Sequence, residues 1–163
     1  MIYKIEKNIH THGIEITIKN EKDELVYIVN EGIYFNKKIL SFFDINKNKT
    51  IYIEEENNMN LHTYNIYINE ALVGNLNYNM LFFKYNFDIN KNNIQFQIEG
   101  DCSSMEFIIF KDESKVAEVS KRSILLSEAY EIDILSREDE KFLLAVIITI
   151  DYLLYDIGNA NQY

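Results

Sequence analysis

Phe142-Leu-Leu-Ala-Val-Ile-Ile-Thr-Ile-Asp151 is apolar on every side of a helical wheel, and a helix of that kind must be surrounded. Ser136-Arg-Glu-Asp139 offers an N-cap hydroxyl with an acid three residues on, and Glu138, Asp139 and Glu140 put negative charge where the helix dipole favours it. A helix is therefore expected over about 138–155, stopped by Gly158 and followed by a short tail, 158–163. The β-branched cluster Val146 to Ile150 also suits a buried strand, but the capping signals and the length favour the helix. Lipid or protein can enclose it. A bilayer span needs roughly 20 mostly apolar residues, whereas the run from Phe142 to Leu154 is shorter and contains Asp151, so protein is expected and no transmembrane segment.

Working outward, the chain before this helix alternates with a period of two. In Gly13-Ile-Glu-Ile-Thr-Ile-Lys-Asn20 the three Ile share one face of a half-buried strand, and the pattern recurs in 64–69, 94–99, 115–122 and 130–134. Asn- and Asp-rich turn signals separate the strands at 20–23, 30–32, 46–48, 69–70, 90–93, 100–101 and 111–114. Counting them gives about twelve short strands in one domain over 1–163, spaced as in a sandwich or barrel. Phe43-Asp-Ile-Asn-Lys-Asn48 and Phe87-Asp-Ile-Asn-Lys-Asn92 are identical, and each precedes an alternating strand, so a repeated hairpin is expected.

The composition is that of an ordinary globular domain: 163 residues, 47% hydrophobic and 26% charged. A formal charge of −10 with no basic cluster repels phosphate, so no nucleic acid partner is expected. Cys102 is the sole cysteine, which rules out an intramolecular disulfide and fits a reducing, cytoplasmic setting. The opening Met1-Ile-Tyr-Lys-Ile-Glu-Lys7 alternates charge with bulk and reads as a strand, not a signal peptide.

Candidate chemistry is sparse. Asp44-x-Asn46-x-Asn48 with Glu55, and Asp88-x-Asn90-x-Asn92 with Glu99, match the spacing of a calcium loop, yet Lys49 and Asn93 replace the glycine that its sharp turn needs. Hairpin turns are the expectation, with Glu55 and Glu99 as outward-facing strand residues. His10 and His12 share a strand face but no third ligand follows at metal spacing, and His62 is far off in sequence. Cys102 has no nucleophile motif around it and is read as a passive thiol; Glu54-Glu-Glu56 is read as a solvated strand end. No P-loop, GxGxxG or GxSxG occurs. No catalytic residue, cofactor or metal is expected. Asp151 stands apart: a carboxylate inside an enclosed helix must either emerge where the enclosure opens or have a partner, and it is read as an anchor for strand-end backbone groups.

With these residues in hand, the chain resembles the LURP-one-related family of the Tubby C-terminal-like group, which includes the phospholipid scramblases. The resemblance rests on Ile98-Glu-Gly-Asp101 through Glu106-Phe-Ile-Ile109, Val116-Ala-Glu-Val-Ser-Lys-Arg122, Tyr130-Glu-Ile-Asp-Ile134 and the segment ending at Asp151, in that order. It implies a mainly β fold, a closed antiparallel barrel of twelve strands around a central hydrophobic C-terminal helix. Bacterial proteins of this family mostly carry no assigned activity, Tubby domains bind phosphoinositides through basic residues, and scramblases are linked to calcium and lipid. No Lys/Arg cluster here matches a Tubby headgroup site. The expectation is a non-enzymatic binding or scaffold module with a protein or lipid partner. The alternatives are a membrane-surface lipid adaptor of phosphoinositide-binding type, and a metal-dependent enzyme in which His10, His12 and acidic residues converge.

Overall fold

The computed structural model describes residues 1–58, 61–81, 84–122 and 129–160. Twelve antiparallel strands form a closed barrel: β1 (Ile2–His10), β2 (Gly13–Asn20), β3 (Leu25–Tyr34), β4 (Lys37–Asp44), β5 (Lys49–Asn58), β6 (Leu61–Ile68), β7 (Ala71–Leu81), β8 (Lys84–Lys91), β9 (Ile94–Asp101), β10 (Glu106–Lys111), β11 (Ser114–Lys121) and β12 (Ala129–Ile134). Each pairs with its sequence neighbours, and β12 closes on β1 through the register Ile2↔Asp133 to Glu6↔Ala129. Closure removes the outer edges that an open sheet of this size would leave unpaired. The Met1 ammonium secures the seam by donating to the Ile134 carbonyl at 2.7 Å.

Alternation sends Ile14, Ile16 and Ile18 of β2, Leu40 and Phe42 of β4, and Ile51 and Ile53 of β5 into the interior. The helix α1 (Glu140–Ala160) fills it, and every residue from Phe142 to Leu153 is buried. Thr149, inside this run, donates its hydroxyl to the Ala145 carbonyl at 2.7 Å and so leaves no polar atom unmet. The helix has 21 residues, so the length argument against a bilayer span does not hold; the strands around it are what cover its apolar surface. Gly74 of β7 sets how closely α1 approaches. A Cβ there would collide with the Asn90 carbonyl and lie 2.8 Å from Phe142 Cε2, so only glycine fits the spacing of β7, β8 and the first turn of α1.

Several local expectations are corrected. The helix starts at Glu140, and the first amide to bond back is Leu143 N, 2.8 Å from the Asp139 carbonyl, so Asp139 takes the cap position expected of Ser136. Gly158 does not stop the helix, which continues to Ala160, because its φ is not the positive one of a left-handed C-terminal cap. Of the expected tail, 161–163 lie outside the described residues. The 30–32 turn signal is strand: β3 runs through it and the chain reverses at Phe35-Asn36, both with positive φ (47° and 62°). The two identical hexapeptides also part ways. In the first, Asp44 ends β4 and a loop follows, leaving Ile45 exposed; in the second, β8 continues to Lys91, Ile89 is buried, and the turn is Asn92-Asn93.

Candidate functional site

Tyr3 meets Glu140 through a hydrogen bond, and further along the same strand Lys7 meets Asp151, so α1 runs beside β1 in the same direction. The helix thus has a sealed N-terminal end and a C-terminal end at a barrel mouth. That mouth is formed by the ends of β1, β3, β5, β7, β9 and β11 and the starts of the strands that follow them.

At the sealed end Asp139 is fully buried. Lys91 Nζ and Lys111 Nζ donate to its two carboxylate oxygens at 2.6 and 2.9 Å, and the Ser136 hydroxyl donates at 3.0 Å. Burial alone would push this carboxyl up, but the three donors outweigh it and hold the group below its ordinary value. The hydrogen bond to Asp139 in turn raises Lys111. The residue expected to serve the helix cap and its dipole is therefore the clamp that ties α1 to the ends of β8 and β10.

At the mouth Asp151 is buried with its partners. Lys7 Nζ donates to Oδ1 at 2.6 Å and the Tyr130 hydroxyl donates to Oδ2 at 3.2 Å, bringing β1, β12 and α1 together. Among the described residues the partners of this anchor are side chains, not the strand-end backbone groups expected. The Tyr130 phenol is pushed well above its ordinary value by burial, with the Asp151 charge adding to the effect, so it remains a neutral donor. Above this triad opens a recess of about 240 Å³ lined by Lys7, Ser103, Met105, Tyr130, Asp151 and Leu154, among others.

Across the mouth lies a second polar group. Glu55 is buried, contrary to the outward position expected of it, because Ile51, Ile53 and Glu55 share the inner face of β5. Its carboxylate accepts from the Lys38 amide at 3.3 Å and the Tyr64 hydroxyl at 3.4 Å, and lies 3.6 Å from His62 Nδ1. Tyr64 is raised chiefly by burial and then by Glu55; Tyr152 is raised by burial and then by Glu31, so both phenols stay protonated. Glu54 points the other way and pairs with Lys37 at 3.3 Å, while Glu56 accepts from Asn65 at 3.0 Å. Glu54-Glu-Glu56 is thus split by strand alternation.

The remaining candidates do not converge. His10 and His12 are exposed at the tip of the β1–β2 hairpin, and His62 lies on β6 against the Tyr78 ring. The calcium-like spacing at Asp44 is a hairpin turn: Asp44 accepts from the Asn46 and Asn48 amides, both at 2.9 Å, and from Asn48 Nδ2 at 3.2 Å. Asp88 lies within β8 opposite Asn77, and Glu99 is exposed. Among the described residues no three His, Cys, Asp or Glu side chains gather as a metal site. The Cys102 thiol is pushed up to about 12 by burial, with a contribution from Asp101, which suppresses the thiolate. The signal that sequence reading missed was Lys7: an inward lysine six residues into the first strand was a ready partner for Asp151.

Comparison with known proteins agrees with this architecture. No curated protein matches the chain in sequence. The X-ray structure of an Arabidopsis thaliana protein is similar, with a TM-score of 0.67 at 10% identity over 93% of this chain and 91% of that one, a likeness of fold. The LURP-one-related family matches residues 1–151, all twelve strands and just over half of the helix, and the chain belongs to that family.

Proposed function

We propose that the protein is a non-catalytic binding module that receives a partner's side chain or a small polar ligand at the recess beside the Lys7–Asp151–Tyr130 triad. The observation that carries this reading is the placement of an open cavity of about 240 Å³ directly over a buried, internally satisfied ion pair. Catalysis finds little support in the groups there. The Tyr130 phenol is held protonated, and Lys7 is tied to a carboxylate.

A protein partner is favoured over a lipid headgroup by the pairing of the cations. Lys4 with Asp23, Lys19 with Glu6, Lys38 with Asp156, Lys115 with Glu118 and Arg122 with Glu131 neutralise one another in a chain of net charge −10. Such a surface gives an anionic headgroup little to bind.

Two measurements test the proposal. Fragment titration followed by NMR is expected to shift resonances of Lys7, Met105, Tyr130 and Leu154, and absence of any shift there removes the recess from the reading. Sedimentation with phosphatidylcholine vesicles containing phosphatidylserine or phosphoinositides, with and without calcium, is expected to leave the protein in the supernatant. Salt-sensitive, headgroup-selective binding would replace this reading with the lipid adaptor.

A further inference from the structure

The barrel has one weak seam among its described strands. β8 and β9 each have eight residues, yet their ladder holds three pairs, Ile89↔Phe96, Asn90↔Gln95 and Lys91↔Ile94, and then stops. Beyond it, Lys84–Asp88 pair only toward β7 and Gln97–Asp101 only toward β10. Between the two runs lies a cavity of about 540 Å³, lined by Tyr85, Phe87, Asp88, Ile98, Gly100 and Asp101, among others.

Which backbone groups face this slot follows from the hairpin. Lys91↔Ile94 closes a turn of two residues and is a hydrogen-bonded pair, so alternate residues of β8 (Ile89, Phe87, Tyr85) direct their N–H and C=O toward β9, and the intervening ones toward β7. Tyr85 and Phe87 thus present strand-edge donors and acceptors to the slot, and Ile98 does so from the other side. Their side chains are half-buried against the core, with Tyr78 5.7 Å from Phe87 and 6.0 Å from Tyr85 between ring centroids.

We propose that the slot between Lys84–Asp88 of β8 and Gln97–Asp101 of β9 is a docking site for an extended peptide, added as a strand on the free edge of β8. This goes beyond the recess at Asp151. The occupant's chemistry follows from the slot. Strand edges require an extended backbone. Tyr85, Phe87 and Ile98 select apolar side chains at alternate positions facing inward. The exposed outer rim has Lys84 against Asp88, Glu99 and Asp101, an excess of negative charge that selects basic residues at the intervening positions. A second copy of this chain, at net charge −10, is disfavoured by the same rim. A single strand entering between antiparallel neighbours is antiparallel to only one of them. Gly100, with φ of 121°, interrupts the β9 edge, so β8 is the antiparallel partner. Five residues from Lys84 to Asp88 offer it about 17 Å of edge.

The wild-type protein is sufficient for the test. In the free protein, amide exchange by NMR should be fast at Tyr85 and Phe87 and slow at Asn86 and Asp88, which face β7; equal protection of all four closes the slot and overturns the proposal. The acetylated and amidated peptide Lys-Val-Lys-Val-Lys-Val-Lys should then protect Tyr85 and Phe87, and N-methylation of its alternate β8-facing amides should weaken binding by about tenfold or more. Equal binding of the methylated peptide, or shifts confined to Met105 and Leu154 of the recess, would refute strand addition here without bearing on the recess itself. Protection of Tyr85 and Phe87 that grows with protein concentration in the absence of peptide would assign the slot to a second copy and also overturn the proposal.

Discussion

Lys7 Nζ and Asp151 Oδ1 are 2.6 Å apart although 144 residues separate them in sequence, and both side chains are almost entirely buried. The pair links the first strand of the barrel to the helix inside it. Removing one partner takes the counter-ion from a buried charge, so Lys7→Met should lower stability by about 3–5 kcal/mol. The triple variant Lys7→Met/Asp151→Leu/Tyr130→Phe removes the charge and the Tyr130 donor together and should recover most of that loss. Urea denaturation of the two variants checks both statements.

Asp139 sets a response to acid. Its folded-state value lies below the ordinary 3.8, so its contribution to stability is fully present above that pH and is lost as pH falls through the lower, folded value. Denaturation midpoints measured from pH 6 downward should therefore fall through the acid range. In Asp139→Asn the protein should be less stable at neutral pH, and the part of the decline due to this group should be absent.

Gly74→Ala should destabilise by about 1–3 kcal/mol, because the new methyl group meets the Asn90 carbonyl and the Phe142 ring. Adding Phe142→Leu relieves only the ring contact, so a thermal-melt series should show partial rescue at most.

Cys102 should react slowly with a thiol-specific disulfide reagent in the native protein. A rise from 9.0 to about 12 reduces the thiolate fraction about a thousandfold at neutral pH. Urea should restore ordinary reactivity, and rapid labelling of the folded protein would contradict the raised value of this half-buried thiol.

Ile147 is fully buried in the middle of α1. Ile147→Asp places a carboxylate where strands surround it on every side, and soluble expression with a cooperative melt should be lost. A soluble, cooperatively melting variant would mean that the helix can leave the barrel.

Much of the architecture was legible because it rests on local periodicity. Alternation in 13–20, 64–69 and 130–134 marks strands whatever their neighbours, and an apolar helix at 142–150 has to be enclosed. The polar sites were less legible. Asp151 was visible as an anomaly, but its partners Lys7 and Tyr130 come from the first and last strands, which meet only when the barrel closes. Asp139 read as a dipole residue because Lys91 and Lys111, distant in sequence, give no local sign of converging on it.

By itself, then, the chain determined its periodicities: about twelve strand segments, spaced as in a sandwich or barrel, and one helix without a polar face that has to be enclosed. Tertiary structure decided everything that depends on which segments meet. Phe-Asp-Ile-Asn-Lys-Asn is a strand end and loop at 43–48 but continuous strand into a turn at 87–92, and its lysine is exposed in the first copy and clamped to Asp139 in the second. The physical reason is that backbone preference at these residues varies by less than the free energy of burying Ile89 and pairing Lys91, so packing against α1 selects between conformations that the local sequence allows equally.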